Sequence, residues 1–175
     1  IRKNPLNPQR QQATHGRGTP TVLERSTHRA LAAELHEAQV SRQQVRQFSQ
    51  RFPDMTIHDS YAIQREWIAL QLAQGRKVIG HKIGLTSRAM QISAQITEPD
   101  YGTLLDDMLL ADGSEVQASR FIVPRLEVEL AFILARPLRG PDVTLLDVLN
   151  ATDYVMPALE LIDARIEQFD RDSKV

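Results

Sequence analysis

A chain of 175 residues has room for a core of its own and reads as one domain. Its 42% hydrophobic and 25% charged residues are ordinary for a globular protein, and no apolar run nears the ~20 residues that a membrane helix needs. It has no cysteine, which excludes disulfides and cysteine-ligated zinc or iron–sulfur centres, and its net charge of -1 leaves no basic footprint for nucleic acid. With no secretory signal visible, the cytoplasm is the expected compartment.

Residues 1–21 carry Arg2, Lys3, Arg10 and Arg17 with no acid, so the remainder holds 17 basic and 22 acidic residues. With Pro5, Pro8 and Pro20 and few large apolar side chains, this stretch reads as a disordered basic tail. The chain starts at Ile1 and its first methionine is Met55, so the biological start is expected elsewhere.

From Val22 the pattern turns helical. Leu31, Leu35 and Ala38 recur at helix spacing, with Ser26 or Thr27 as the expected N-cap. Ser41 and Gln44 predict a capping box for a second helical stretch through Val45 and Phe48, which Pro53 breaks. Thr56 and Asp59 repeat the cap signature, and an amphipathic helix follows through Ile57, Tyr61, Ile68 and Leu72 to about Gln74, closed by Gly75.

After Gly75 the texture becomes β. Residues 77–83 predict a short strand, 87–95 a short helix, and Pro99, Asp100, Tyr101 and Gly102 a turn-rich loop. Asp112-Gly113 signals a hairpin after Met108 to Leu110. Strands are expected over 126–134 and 155–162, and Thr144 with Asp147 caps a helix near 145–150. With about four strands and no closing element in IEQFDRDSKV, the sheet looks unfinished.

Three glutamates interrupt the most apolar segments: Glu127 and Glu129 in IVPRLEVELAFIL, and Glu160 in VMPALELIDAR. A glutamate is rarely buried without a positive partner, and only Arg125 and Arg165 are near in sequence. On a strand, residues i and i+2 share a face about 6–7 Å apart. Glu127 and Glu129 can therefore converge on one ion, with Glu160 from a neighbouring strand as a third ligand. An all-carboxylate set favours a hard cation, Mg²⁺ or Mn²⁺. The same Glu-x-Glu pattern also lines solvated sheet faces that bind nothing.

Lys82 lies in GHKIGLTSRAMQ between two glycines that let backbone approach a ligand closely, and a desolvated lysine can carry protons. It is also an ordinary strand-end lysine by type. His81 alternates to the opposite face. Asp100 in EPDYG could act as a general base, or simply fill a turn position, and Asp106, Asp107 and Asp153 share that ambiguity. Trp67 and Tyr61 read as core. No phosphate-binding glycine loop and no nucleophile elbow is present.

Taken in order, YAIQREW, GHKIGLTSRAMQ, EPDYGTLLDDM, FIVPRLEVELAF and NATDYVMPALELIDAR resemble the 2-oxohept-4-ene-1,7-dioate hydratases. These lie in the hydratase/decarboxylase branch of the fumarylacetoacetate-hydrolase-like superfamily. The match spans roughly residues 22–175. The resemblance implies an α+β fold: an N-terminal helical region over 22–78, then an incomplete mixed β-sheet or β-roll of that superfamily's type. Residues 79–175 would form the first part of its metal-binding catalytic domain.

The resemblance also implies Mg²⁺ on Glu127, Glu129 and Glu160, and an acid–base pair of Lys82 and Asp100. The implied substrate is a small 2-oxo dicarboxylate in bacterial homoprotocatechuate degradation. The implied assembly is a homo-oligomer, with no nucleic-acid or membrane partner. Val22 falls where family chains begin, which points to a start codon read in frame as valine, and family chains continue past Val175, so a C-terminal truncation is expected. A related 2-oxo acid decarboxylase, a 2-hydroxypenta-2,4-dienoate hydratase, a C–C hydrolase and an inactive remnant or partner subunit are the other readings.

Overall fold

The computed structural model describes residues 21–167. The basic tail expected over residues 1–21 lies outside them except for Thr21, as does the end of the chain after Glu167. The chain divides into two compact units. One comprises residues 21–34 and Phe48–Leu110, the other Leu35–Gln47 and residues 111–167, so the division falls within the first helix. Among the described residues, no helix is long and apolar enough to cross a membrane.

The helices are α1 (Arg25–Ser41), α2 (Phe48–Arg51), α3 (Ile57–Ala73), α4 (Arg88–Ala94) and α5 (Leu145–Ala151). The strands are β1 (Val78–Gly84), β2 (Asp100–Leu105), β3 (Pro124–Leu134) and β4 (Thr152–Asp163). They pair as two separate antiparallel ladders, β1 with β2 and β3 with β4. The mixed sheet expected from sequence is not what these strands make: the parallel pairing among the described residues is one isolated bridge, Val45 to Ile166.

The first unit is organised around α3. Thr56 and Asp59 form the expected capping box, and Gly75 follows the C-cap Gln74 at φ 91°, a left-handed turn that glycine adopts without strain. The buried face is not the expected one. Asp59, Ala62, Ile63, Trp67 and Gln71 point inward, while Ile57 and Leu72 are exposed. The cause is Asp59, which is fully buried. Its carboxylate accepts from the backbone N–H groups of Val22, Leu23 and Thr56 at 3.2, 3.0 and 2.9 Å. It also lies 2.9 Å from both Thr56 Oγ1 and His28 Nε2. Turning that face inward brings Ala62, Ile63 and Trp67 into one core with Leu31, Ala32, Phe48 and Leu105.

Two cap expectations fail. α1 starts at Arg25, ahead of Ser26 and Thr27, with the N–H groups of Thr27 and His28 donating to the Glu24 carbonyl. Ser41 does not open a second helix. It ends the first, its hydroxyl donating to the Glu37 carbonyl at 2.8 Å, and Arg42 follows at φ 57°. Residues 42–47 are then held by strand-like bonds in the second unit. Val45 N–H donates to the Arg165 carbonyl, Glu167 N–H donates to the Val45 carbonyl, and the Gln44 amide donates to the carbonyls of Ala164 and Ile166. Long-range pairing thus overrides a local helix signal.

In that unit β3 and β4 form the longest ladder, running from Pro124 opposite Asp163 to Leu134 opposite Thr152. Thr144 and Asp147 cap α5 as expected. Asp112-Gly113 makes a turn, with Gly113 at φ 72°, but Met108 to Leu110 form no strand and no hairpin results.

Burial pushes the Asp59 carboxyl up, but hydrogen bonds from Thr56, His28, Leu23 and Val22 outweigh it and hold it well below the ordinary carboxylate range. Its stabilisation is therefore complete above about pH 4 and is lost as pH falls through the lowered folded-state value. Asp59→Asn should cost about 1–3 kcal/mol in urea unfolding, because buried donors lose their acceptor. Circular dichroism across an acid titration should show the variant far less sensitive than wild type below about pH 4.

Candidate metal centre and acid–base pair

The β3–β4 ladder places the three glutamates without help from any loop. Glu127 stands directly opposite Glu160, and Glu129, two residues along on the same face, stands opposite Ala158. One carboxylate oxygen from each lies within 4.8 Å of the other two. Two oxygens on opposite sides of one ion stand about 4.2 Å apart for Mg²⁺ and about 4.6–5.2 Å apart for Ca²⁺. The set could therefore close onto a single hard cation. The donors are all carboxylate oxygens, which suits such an ion and leaves positions open.

The glutamates are not buried, contrary to the inference from their apolar sequence context. Glu127 is exposed and Glu160 half-buried. The apolar residues that flank them alternate to the other face, where Leu126, Val128, Leu130 and Phe132 are also largely exposed. Arg165 is the more enclosed neighbour, and burial lowers its pKa from the usual arginine value, opposed by Asp163. Asp163 in turn accepts from the N–H groups of Ile122 and Val123 at 3.0 and 2.7 Å, fixing the entry to β3.

Lys82 and Asp100 belong to the other unit, and there the ladder brings them together. EPDYG is not a loop at Asp100: the strand β2 begins there, because the β1 backbone offers partners from Val78 to Gly84. Gly84 pairs with Asp100 and Lys82 with Gly102. Lys82 and Asp100 are therefore diagonal neighbours on one face, both half-buried. His81 and Tyr101 take the other face, where Tyr101 stacks on Tyr61 of α3 with ring centroids 4.3 Å apart. The Gln64 amide donates to the Tyr101 carbonyl at 3.2 Å. Tyr61 thus acts as an anchor for β2, while Trp67 lies in the core as expected.

Asp100 Oδ1 is out of contact with solvent and accepts no hydrogen bond. A buried, unsatisfied acceptor costs about 1–3 kcal/mol, and such atoms recur where a group is held ready for chemistry. Two of the other candidate aspartates have structural partners. Asp106 accepts from Lys77 N–H at 2.9 Å and Asp107 lies 3.3 Å from Arg76. Sequence reasoning missed what stands opposite Lys82 and Asp100. Both are faced by glycine, and the signal was present in GHKIG, where glycine was read as access for a ligand, and in DYG, where it was read as part of a turn.

The chain is 58% identical over 153 residues to the 2-oxo-hept-4-ene-1,7-dioate hydratase of Escherichia coli, covering 87% of this chain and 57% of that protein. It is 41% identical over 140 residues to a 2-hydroxypent-2,4-dienoate hydratase of Pseudomonas putida, covering 79% of this chain and 63% of that protein. Among solved structures, it matches the 4-oxalocrotonate decarboxylase from Pseudomonas putida G7 complexed with magnesium and adipate. That match has a TM-score of 0.81 and 37% identity, and covers 86% of this chain and 57% of that chain. No protein-family model matches. The resemblance drawn from the ordered motifs is borne out: this chain, a mix of helix and sheet, is similar to these hydratases and this decarboxylase and spans under two thirds of their length.

Removing charge from the triad should act with opposite signs in the two metal states. In chelator, Glu127→Gln should raise the melting temperature slightly, because like charges directly opposite each other in a ladder repel. With Mg²⁺ it should lose the ion-dependent rise, and calorimetry should show binding weakened at least about tenfold for Glu127→Gln, Glu129→Gln and Glu160→Gln. Asp153→Asn, outside the triad, should bind as wild type.

Proposed function

We propose that this chain acts as a hydro-lyase adding water to 2-oxohept-4-ene-1,7-dioate to give 4-hydroxy-2-oxoheptanedioate, with Mg²⁺ held by Glu127, Glu129 and Glu160. The observation that carries the reading is the convergence of those three carboxylates on one face of a ladder. The 58% identity to a hydratase named for that substrate supports it. On this reading the fold is of the fumarylacetoacetate-hydrolase-like type, residues 79–175 form the first part of its catalytic domain, and the setting is homoprotocatechuate degradation.

The chemistry asks for two proton movements and one addition. When bound, Mg²⁺ supplies a Lewis acid for the 2-oxo acid end of the substrate. Asp100 takes a proton from C3 and Lys82 returns one at C5, moving the double bond from C4–C5 to C3–C4, where it conjugates with the C2 carbonyl. Water then adds its oxygen at C4 and a proton at C3, with no oxidant, reductant or leaving group. Carboxylate ligands hold the ion without redox chemistry of their own.

A second reading has its own support. The structural likeness to a magnesium-complexed 4-oxalocrotonate decarboxylase favours loss of CO₂ from a related 2-oxo acid. Incubating the 175-residue chain with Mg²⁺ and 2-oxohept-4-enedioate separates the two. The expected outcome is 4-hydroxy-2-oxoheptanedioate by NMR without CO₂ release. CO₂ as the product would establish the decarboxylase reading, and folded protein that neither binds Mg²⁺ nor turns over would sink both. Lys82→Ala and Asp100→Asn should each lower kcat about 10²–10⁴-fold, the range for losing a general acid or base.

A further inference from the structure

We propose that Gly84 and Gly102 are positioning residues, each providing the space in which one member of the Lys82–Asp100 pair is seated; this rests on the acid–base reading above. The two ladder pairs are reciprocal: Asp100 faces Gly84, and Lys82 faces Gly102. A methyl group at Gly84 would overlap Asp100 Oδ1 and stand 3.2 Å from its Cγ. A methyl group at Gly102 would stand 3.0 Å from Lys82 Cγ and 3.4 Å from Cδ. The side chains lie flat across the opposing strand, in volume that any other residue there would fill.

The backbone does not demand glycine at either position. The described glycines with positive φ are Gly75 and Gly113, so Gly84 and Gly102 have conformations open to any L residue. What glycine provides here is the missing Cβ. Gly80 is the internal comparison. It lies on the same face of β1, two residues before Lys82, and a methyl group there would meet only Leu104 Cδ1, at an ordinary 3.9 Å.

The atoms that must yield to an added methyl are the Lys82 stem at Cγ and Cδ and the Asp100 carboxyl group, all of them side chain and none of them backbone. The strands can keep their register while the two functional groups move. A displacement of about 1 Å in a positioned group can cost about 10²-fold in rate. The loss should therefore appear in turnover and not in folding.

The test compares Gly84→Ala, Gly102→Ala and Gly80→Ala in the full 175-residue chain with saturating Mg²⁺. Gly84→Ala and Gly102→Ala should lower kcat about 10–100-fold with KM and the melting temperature close to those of Gly80→Ala, and should change the pH profile of kcat. Turnover and pH profile equal to those of Gly80→Ala would overturn the proposal. NMR reads the seating without turnover: wild type should show a nuclear Overhauser contact between Lys82 Hγ and Gly102 Hα. Gly84→Ala, unlike Gly80→Ala, should shift the Asp100 carboxyl carbon. Absence of both signals would also overturn it. The acid–base reading fails on a different result, full turnover in Lys82→Ala and Asp100→Asn.

Discussion

Two glutamates set directly opposite each other on neighbouring strands are the constraint around which the β3–β4 ladder makes sense. Like charges in that position repel, and the sheet gains nothing from them on its own account. Yet the ladder pairs Glu127 with Glu160 and adds Glu129 beside them. Its eleven-residue β3 and twelve-residue β4 supply backbone bonds enough to hold that register against the repulsion. A slip of one residue would move all side chains of one strand to the other face and dissolve the cluster. The site is therefore encoded by register, and Asp163, which takes the N–H groups of Ile122 and Val123 at one end of the ladder, helps fix where counting begins.

The other unit solves a similar problem with a buried charge. Asp59 draws residues 22 and 23, His28 and Thr56 onto the start of α3, and in doing so decides which face of that helix is inside. That same helix presents Tyr61 and Gln64 to Tyr101. Since Tyr101 and Asp100 are adjacent on β2 and point to opposite faces, fastening one orients the other. A chain of named contacts thus runs from a buried aspartate, through a helix, to the strand that carries Asp100.

Local signals were legible in the sequence where a few neighbouring residues suffice. The boxes Thr56/Asp59 and Thr144/Asp147 form as written, because both partners lie within one turn. Ser41/Gln44 has the same spelling and fails, since Gln44 and Val45 find better partners about 120 residues away. The period of two identified Glu127 and Glu129 as a pair, and Glu160 as a third candidate. That Glu160 stands opposite Glu127, and not two residues aside, is a fact of strand pairing that no pattern along the chain contains. The same holds for Asp100, read as part of a turn from Pro99 and Gly102, though its backbone has strand partners in β1. Amphipathicity misjudged α3 because it counts an aspartate as outward by default, and Asp59 is inward.

The face of the β3–β4 ladder opposite the glutamates carries Leu126, Val128, Leu130, Phe132, Val155 and Leu159, all exposed. Unfolding therefore uncovers little apolar surface there that water does not already touch. Heat capacity change and denaturant sensitivity both scale with newly exposed area, so this ladder contributes less to either than its length and composition would give in a covered sheet. A cover over that face would raise both.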